Sequence, residues 1–470
     1  MSDPHALGAP QDPPGSNAAP PLLDTESDRA THLPPMFYAW VLVAALWPVA
    51  MLNYLDRQMV STIRTSMRTD IPSIANDQEF GMLMSAFLWV YAALSPLGGF
   101  VADKFNRRWT VIGSLFVWSA VTWLTGHMQT YHQMLACRGL MGISEAFYMP
   151  AALALIADFH VGNTRARAIG IHQSGQYCGL ALGGIGGYIA TANSWRNCFT
   201  WFGVGGVIYS VVLILVLSRA RNASQGRHGD EADEGDSPIV ANKGDSAIFV
   251  RPGFAGCPKL GPSPRVTLSR TLRALASQPS YWILLTCFTL PSVAGWATKN
   301  WLPTFLGDQF HLKEGPAGLS ATGYIHLASL VGVLLGGVLA DRWMRATQRG
   351  RIYTSALGTL LLVPALLGLG GAWSVPVAIG FMVLFGLGWG LFDCNSMPIL
   401  CQIARSKYRA TGYGIMNLVG ISVGGGVTVA MGWMRDQGLS FSLAFAFSAV
   451  VALMSAGLLL FIRPRSNLED

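Results

Sequence analysis

Residues 99–108 read Gly-Phe-Val-Ala-Asp-Lys-Phe-Asn-Arg-Arg, and their first six positions recur as Gly-Val-Leu-Ala-Asp-Arg at 337–342. Each copy follows an apolar stretch long enough for a helix of roughly 20 residues, the length that crosses a bilayer. Two further pairs of segments recur in the same order at a similar spacing: residues 142–150 with 390–398, and residues 165–173 with 409–417. The sequence therefore predicts an internal duplication.

The composition is typical of a membrane protein. Of the 470 residues, 51% are hydrophobic and 12% are charged, whereas soluble proteins carry about 25% charged residues. The 32 Lys and Arg residues outnumber the 25 Asp and Glu residues, but they lie in short clusters between apolar runs, which argues against nucleic-acid binding. The seven cysteines form no C-x-x-C motif, so we expect neither a disulfide framework nor a metal site.

Twelve apolar stretches are long enough to span a membrane. Their predicted bounds are 37–59, 81–102, 109–126, 134–157, 166–191, 199–217, 281–305, 319–340, 352–370, 374–400, 410–433 and 441–462. We therefore predict an all-α integral membrane protein in which twelve transmembrane helices form two six-helix bundles, residues 36–218 and 281–463. The remaining segments are predicted to be a disordered N-terminal tail, a linker and a C-terminal tail, at 1–35, 219–280 and 464–470, all of them cytoplasmic.

The orientation follows from Lys and Arg residues in the short connections, because positively charged loops stay inside. With the N-terminus inside, the inner connections and C-terminal tail hold most of these residues, and the outer connections hold only Arg64, Arg68, Arg196, Lys313 and Arg435. Both termini are thus predicted to be cytoplasmic, with the chain in the cell (inner) membrane. Two repeated bundles place a cavity at their interface near the bilayer midplane, where rocking gives alternating access. This architecture predicts a transporter.

The segment from Gly99 to Arg108, with its echo at 337–342, resembles the inner-loop signature of the major facilitator superfamily. Asn106 departs from that signature, which usually has glycine there. The resemblance covers about residues 37 to 465 and implies the major facilitator fold. Within the superfamily the chain looks like the anion:cation symporter family, whose members carry sugar acids and other organic anions. The residues that carry this likeness are Asn53, Tyr54, Asp56, Arg57, Arg138, Glu145, Ser174, Gly175, Gln176 and residues 301–304.

A second likeness stays open. The aspartate-arginine pair of the first span and the arginine-glutamate pair of the fourth are shared with spinster-type lysolipid transporters. Asn106 also favours that group, whereas Gln176 favours the anion carriers.

Four ionisable residues inside the predicted spans are the main candidates for function, because such residues are costly in lipid and are expected to face a cavity or a partner. Arg138 and Glu145 are two helical turns apart and share one face of the fourth span, and Asp56 and Arg57 share a stripe of the first. We expect Arg57 or Arg138 to contact a substrate carboxylate, and Asp56 and Glu145 to bind and release the driving protons. The alternative is that Arg138 and Glu145 form a structural ion pair.

Polar residues of the fifth and eleventh spans extend the predicted substrate site. Gln173, Gln176 and Tyr177 lie at i, i+3 and i+4, which suits hydrogen bonds to the hydroxyl groups of a polyol. The alternative is a polar contact between helices. Asn417 occupies the repeat position of Gln173 and resembles a substrate-contacting position of the family.

The C-terminal half repeats the acid of the fourth span but not its arginine. Asp393 occupies the repeat position of Glu145, and coupling, a polar contact or a helix-end role all stay open for it. Gly386 stands where Arg138 would repeat. The cationic half of the site is therefore predicted to be N-terminal.

Charged residues at the inner ends of the spans are predicted to gate access. Asp103 and Asp341 end helices beside basic residues such as Arg107, where a carboxylate can bind a helix N-terminus or a cation and hold the inner side shut. A solvated loop charge is the alternative. Lys299 is expected to extend to the lipid headgroups, or else to attract anions. His172 and His326 are expected to be packing residues.

These features predict a secondary active transporter that moves a small organic anion, a sugar acid such as a hexonate or hexuronate, in symport with protons. The expected partners are the anion, protons and the bilayer, and the chain is expected to act as a monomer without a cofactor, a metal or nucleic acid. No P-loop motif is present, and we expect no enzyme activity. The alternative is a spinster-like transporter of lysolipids or amphiphiles. The anion, the choice between protons and sodium, and the direction of transport stay open.

Overall fold

The computed structural model describes residues 36–160, 163–219 and 268–464, and the regular elements in these ranges are helices. The α-helices are α1 Met36–Met59, α2 Arg64–Asp70, α3 Asp77–Lys104, α4 Arg107–Thr125, α5 Tyr131–Ala146, α6 Tyr148–Phe159, α7 Asn163–Leu182, α8 Ile185–Ala192, α9 Trp195–Arg219, α10 Leu268–Ala276, α11 Pro279–Phe310, α12 Glu314–Met344, α13 Gly350–Gly370, α14 Val375–Asp393, α15 Ser396–Ile403, α16 Ser406–Asp436 and α17 Phe441–Leu459. A 3₁₀ turn, Val60–Thr62, follows α1. The predicted tails 1–35 and 465–470, and residues 220–267 of the predicted linker, lie outside the described residues.

The helices occupy the twelve predicted span positions. Among the described residues, nine segments are long and apolar enough to cross a membrane. The third, fifth and seventh positions are filled by α4, by α7 with α8, and by α11, which are more polar. Within the predicted linker, α10 is helical. The prediction of an all-α membrane fold is therefore confirmed.

The fourth and tenth spans break at the same point of the repeat. The fourth consists of α5 and α6, and the tenth of α14 and α15. Pro150 and Pro398 lie within the first turn after each break. Because proline lacks the N–H that an uninterrupted helix would need, yet is tolerated in a first turn, each proline separates two helices. Glu145 lies next to the first break, and Asp393 ends α14 at the second.

The departure from the family signature at Asn106 has a local role. Its side-chain oxygen accepts a hydrogen bond from the backbone N–H of Arg108 at 3.1 Å, which caps the N-terminus of α4. An asparagine N-cap stabilises a helix by about 1 kcal/mol relative to alanine. Asn106, which stands where the family signature usually has glycine, therefore stabilises the start of α4, the third span.

The two halves pack together at one face of the molecule, which we call the distal face because α1 ends and α17 begins there. Glu314 of α12 accepts hydrogen bonds from the backbone N–H and the hydroxyl of Ser66. Asp436 at the end of α16 accepts from the first two backbone N–H groups of α3, both at 2.9 Å. Phe80 meets Trp301 edge-on across the halves, with ring centroids 6.2 Å apart. The distal face therefore has both polar and apolar contacts.

Glycines of the segment 183–187 permit this close approach of the halves. A Cβ atom on Gly184 would lie 2.3 Å from Cα of Leu319, and one on Gly187 would lie 2.3 Å from the carbonyl oxygen of Glu314. No side chain fits at such distances. Glycine at these two positions therefore lets the backbone at the start of α8 lie directly against α12.

At the opposite, terminal face, where α1 begins and α17 ends, the described residues form separate apolar clusters. One cluster, which includes Leu42 and Leu217, belongs to the N-terminal half. The other, which includes Tyr281 and Leu459, belongs to the C-terminal half. By contrast, the distal cluster joins Met59 and Phe80 to Trp301 and Met431. The described contacts thus hold the halves together on the distal side.

Candidate functional site

A buried ion pair joins the first and fourth spans. Nε of Arg57 donates to Oε2 of Glu145 at 2.6 Å. The Glu145 side chain has no solvent exposure, whereas the Arg57 side chain is 12% exposed. The sequence offered Arg138 as a structural partner of Glu145; Arg138 interacts electrostatically with Glu145, but the closely paired cation is Arg57 of α1.

Three aromatic rings surround the Arg57 guanidinium. Its Cζ atom lies 4.5 Å from the ring centroids of Tyr54 and Tyr91, and 4.8 Å from that of Phe87. Ring faces attract a cation without neutralising it. Nη2 of Arg57 is buried and has no hydrogen-bond partner among the described residues. The guanidinium is therefore positioned by its surroundings and retains one donor group for an anion.

Arg138 lies deeper than Arg57 and is 2% exposed. Its Nε donates to the carbonyl oxygen of Leu83 at 3.2 Å, and its Cζ lies 4.9 Å from the Phe87 ring centroid. Both guanidinium groups therefore lie close to the Phe87 ring. Of the two predicted cations, Arg57 is the more accessible.

Asp56 belongs to the same cluster. Its side chain is 2% exposed, and Oδ2 accepts a hydrogen bond from the Thr122 hydroxyl of α4 at 3.2 Å. It interacts electrostatically with both Glu145 and Arg138. The structure therefore brings together all four ionisable residues that the sequence singled out, in the core of the N-terminal half.

The predicted polar residues of α7 and α16 differ in burial and in their neighbours. Gln173 is buried, and Gln176 is half-buried with Nε2 3.5 Å from Sδ of Met149. Tyr177 is half-buried and interacts electrostatically with Asp393. Asn417 hydrogen-bonds Tyr413 one turn away on α16. Gln176, Tyr177 and Asn417 are thus less buried than Gln173.

The C-terminal half contributes a second charged group that the sequence placed wrongly. Nζ of Lys299 lies 3.6 Å from the centroid of the Trp389 ring. Lys299 also interacts electrostatically with Asp393. It therefore does not extend to the lipid headgroups, because α11 turns it toward α14. The sequence predicts an N-terminal cationic half of the site, and Lys299 adds a cation in the interior of the C-terminal half.

Tyrosines of both halves lie near the two charged groups. Tyr54 of α1 interacts electrostatically with Glu145 in its own half and with Asp393 in the other. Tyr413 of α16 interacts with Asp393 and, across the halves, with Tyr54 and Tyr91. These tyrosines are half-buried although they lie in the middle of the fold. The polar groups of both halves thus face each other.

A charged cluster on the distal face was not identified from the sequence, and we call it the distal lock. Asp77 accepts from Arg68 and Arg435 at 2.7 Å each and also pairs with Arg64. Arg435 lies in the C-terminal half, so the lock joins the halves. Its three arginines are among the five basic residues of the predicted outer connections. Only the tertiary structure shows that all three bind the same carboxylate, that of Asp77.

The predicted gating residues at the terminal face make contacts within their own halves. Nη1 of Arg107 pairs with Asp158 at 2.6 Å, and Asp341 accepts from Arg351 at 3.4 Å. The side chain of Asp103 lies outside the described part of the structure. His172 is buried in the core, where its Nε2 lies 2.9 Å from the Tyr148 hydroxyl.

Comparison with known proteins identifies the family and the fold. The family model described as Major Facilitator Superfamily matches residues 46–429. Protein spinster of Drosophila melanogaster is 25% identical over 338 residues, which cover 70% of this chain but only half of that protein. The probable galactarate/D-glucarate transporter GarP of Escherichia coli K12 is 25% identical over 461 residues, which cover 94% of this chain and 97% of that protein.

Among solved structures, a bacterial homolog of the human lysosomal transporter spinster, in an inward-facing and unoccupied conformation, aligns with a TM-score of 0.65. Its sequence identity is 18%, and the alignment covers 90% of this chain and 95% of that one. At this identity the likeness shows the shared fold.

Proposed function

Since this chain belongs to the major facilitator superfamily of transporters, we propose that it moves a small organic anion, a sugar acid, in symport with protons. The observation that carries the proposal is the Arg57–Glu145 pair, with a partly exposed guanidinium that retains a buried donor. The near full-length similarity to a probable galactarate/D-glucarate transporter agrees with this substrate class.

The geometry supplies a reason for coupling. A substrate carboxylate and Glu145 compete for the same guanidinium of Arg57. Protonation of Glu145 removes its charge, weakens its hold on Arg57 and leaves the guanidinium for the anion. Proton and anion therefore favour each other's binding, as symport requires. Asp56, which interacts electrostatically with Glu145 and Arg138, is the proposed second proton site.

Polar groups around Arg57 are suited to the rest of a sugar acid. Gln176, Tyr177 and Asn417 are half-buried, and they carry both donors and acceptors for hydroxyl groups. Arg138 and Gln173 are buried. We assign the first three to direct substrate contact, and Arg138 and Gln173 to support of the charged cluster.

Opening and closing are proposed to occur at the two faces in turn. With both termini cytoplasmic and the protein in the cell membrane, the distal lock closes the outer face, and Asp103, Arg107 and Asp341 act in closing the inner face. The joined distal contacts and the separate terminal clusters agree with a state that opens inward.

A second candidate function is transport of a lysolipid or another amphiphile. It is favoured by the similarity to Protein spinster of Drosophila melanogaster. The aromatic rings around Arg57 would also suit an amphiphile with an anionic headgroup.

Uptake into proteoliposomes with an imposed proton gradient separates the candidates. We expect concentrative uptake of galactarate or galactonate that collapses when a protonophore is added, and no transfer of fluorescent lysophosphatidylcholine. Lysolipid transfer without sugar-acid uptake would establish the second candidate instead. Sugar-acid uptake driven only by sodium would contradict the coupling to protons.

The distal lock yields a separate prediction. Replacing Asp77 by Asn leaves Arg64, Arg68 and Arg435 without their shared counter-charge, and losing one partner of a buried pair costs about 3 kcal/mol. We expect a shift of roughly a hundredfold toward states that are open at the distal face. Electron-electron distances between spin labels introduced as unnatural amino acids at Thr69 and Gln437 report this opening.

Glu79→Gln is the matched control for Asp77→Asn. Glu79 lies in the same first turn of α3, but its carboxylate accepts from Ala75 within its own half. We expect its distance distribution to match that of the wild type. Unchanged distances in Asp77→Asn would show that the lock does not hold the halves together.

A further inference from the structure

Lys299 lies deep in the seventh span. It is 11 residues before the end of α11 at Phe310, which corresponds to roughly 16 Å along the helix. Its ammonium group lies against the face of Trp389 and not at the helix end. Anchoring at the lipid headgroups does not explain a cation this far from the distal face.

The surrounding residues hold the ammonium group in place. A Cβ atom on Gly295, one turn before Lys299, would lie 2.1 Å from Cζ3 of Trp389, so glycine lets the indole pack directly on α11. Trp389 and Asp393 are four residues apart on α14 and share one side of it. Asp393 is the carboxylate that interacts with Lys299, and His326 of α12 is a buried neighbour. The indole attracts the cation without neutralising it.

This group faces the substrate site of the N-terminal half. The carbonyl oxygen of Lys299 accepts from Nε2 of Gln58, the residue that follows Arg57, at 3.2 Å. Tyr54 on the same helix interacts with both Glu145 and Asp393. Each half thus presents a cation with a carboxylate nearby: Arg57 is paired with Glu145, and Lys299 interacts electrostatically with Asp393.

We propose that Lys299 binds a second carboxylate of the substrate, so that the protein prefers dicarboxylic sugar acids over monocarboxylic ones. This inference rests on the proposed function of the Arg57 site. One carboxylate of the substrate binds Arg57, and the other binds the ammonium group of Lys299 beside Trp389. A substrate held at both ends also joins the two halves, which is the step that alternating access requires.

Galactarate and galactonate are the matched probes, since they have the same carbon skeleton and differ at C6, where one has a carboxylate and the other a hydroxymethyl group. Inhibition of counterflow exchange by each acid is measured with the full chain in proteoliposomes. For the wild type we expect galactarate to inhibit at a concentration at least tenfold lower than galactonate. In Lys299→Gln we expect galactarate to weaken to the level of galactonate, with galactonate changed less than about threefold.

Two further variants control for misfolding of Lys299→Gln. Lys299→Arg keeps the charge and is expected to keep the preference for galactarate. Lys299→Gln combined with Asp393→Asn leaves no unpaired carboxylate beside Trp389 and is expected to fold, exchange galactonate and show no preference. Equal inhibition by both acids in the wild type, or a preference that survives in either variant lacking Lys299, would overturn the inference while leaving the proposed function intact. A wild type that handles neither acid would refute both.

Discussion

Replacing Glu145 by Gln is expected to abolish proton-driven accumulation of the substrate while counterflow exchange continues. The amide has nearly the shape of the carboxylate and still accepts a hydrogen bond from Arg57, but it carries no charge and binds no proton. Arg57 is then available to the anion at every pH. Anion binding no longer depends on a proton at position 145, so the proton gradient no longer drives accumulation. We expect the accumulation ratio to fall to about one, measured as labelled galactarate inside proteoliposomes with and without a pH gradient.

Asp70→Asn is the matched control for Glu145→Gln. Asp70 also accepts from an arginine, Arg196, at 2.8 Å, but this pair lies at the distal surface and its carboxylate is nearly half exposed. Surface pairs contribute little to stability. We expect this variant to accumulate substrate as the wild type does. Full accumulation in Glu145→Gln would remove Glu145 from the coupling mechanism and leave Asp56 as the candidate.

The second large effect is expected at Arg57. Removing its guanidinium by Arg57→Ala deletes the proposed partner of the substrate carboxylate and leaves Glu145 buried without its counter-ion. Truncating one partner of a buried hydrogen-bonded charge pair costs about 3 kcal/mol, which corresponds to a loss of roughly a hundredfold in affinity. Equilibrium binding of galactarate to the purified protein, measured by calorimetry, tests this loss.

Two comparisons separate recognition from folding. Arg57→Gln combined with Glu145→Gln keeps the pair neutral and hydrogen-bonded, so we expect a normal melting temperature with no measurable binding. Arg138→Lys keeps the charge of the deeper cation, and we expect binding within about tenfold of the wild type. Tight binding in the double variant would mean that the anion is held elsewhere, and a larger loss in Arg138→Lys than in Arg57→Ala would reverse the proposed roles.

The sequence was a good guide to the fold because the membrane imposes simple requirements. Helices that cross hydrocarbon must be long and apolar, so their positions are visible in one dimension. The duplication was equally visible, and the structure shows it in the matching breaks before Pro150 and Pro398. The sequence also identified the charged residues of the N-terminal cluster, since Asp56, Arg57, Arg138 and Glu145 are conspicuous inside apolar stretches.

What the sequence did not determine was which charges meet. Helical periodicity relates residues of one helix, so it paired Arg138 with Glu145, whereas the packing of α1 on the fourth span gives Glu145 to Arg57. Lys299 and Trp389 are 90 positions apart, and only the packing of α11 on α14 places the ammonium group on the indole. The distal lock depends in the same way on helices from both halves. The local sequence thus determines where the membrane spans lie and which charged residues they contain. The ion pairs are determined by the tertiary structure, because they form between helices, and local sequence patterns do not specify how one helix is rotated relative to another.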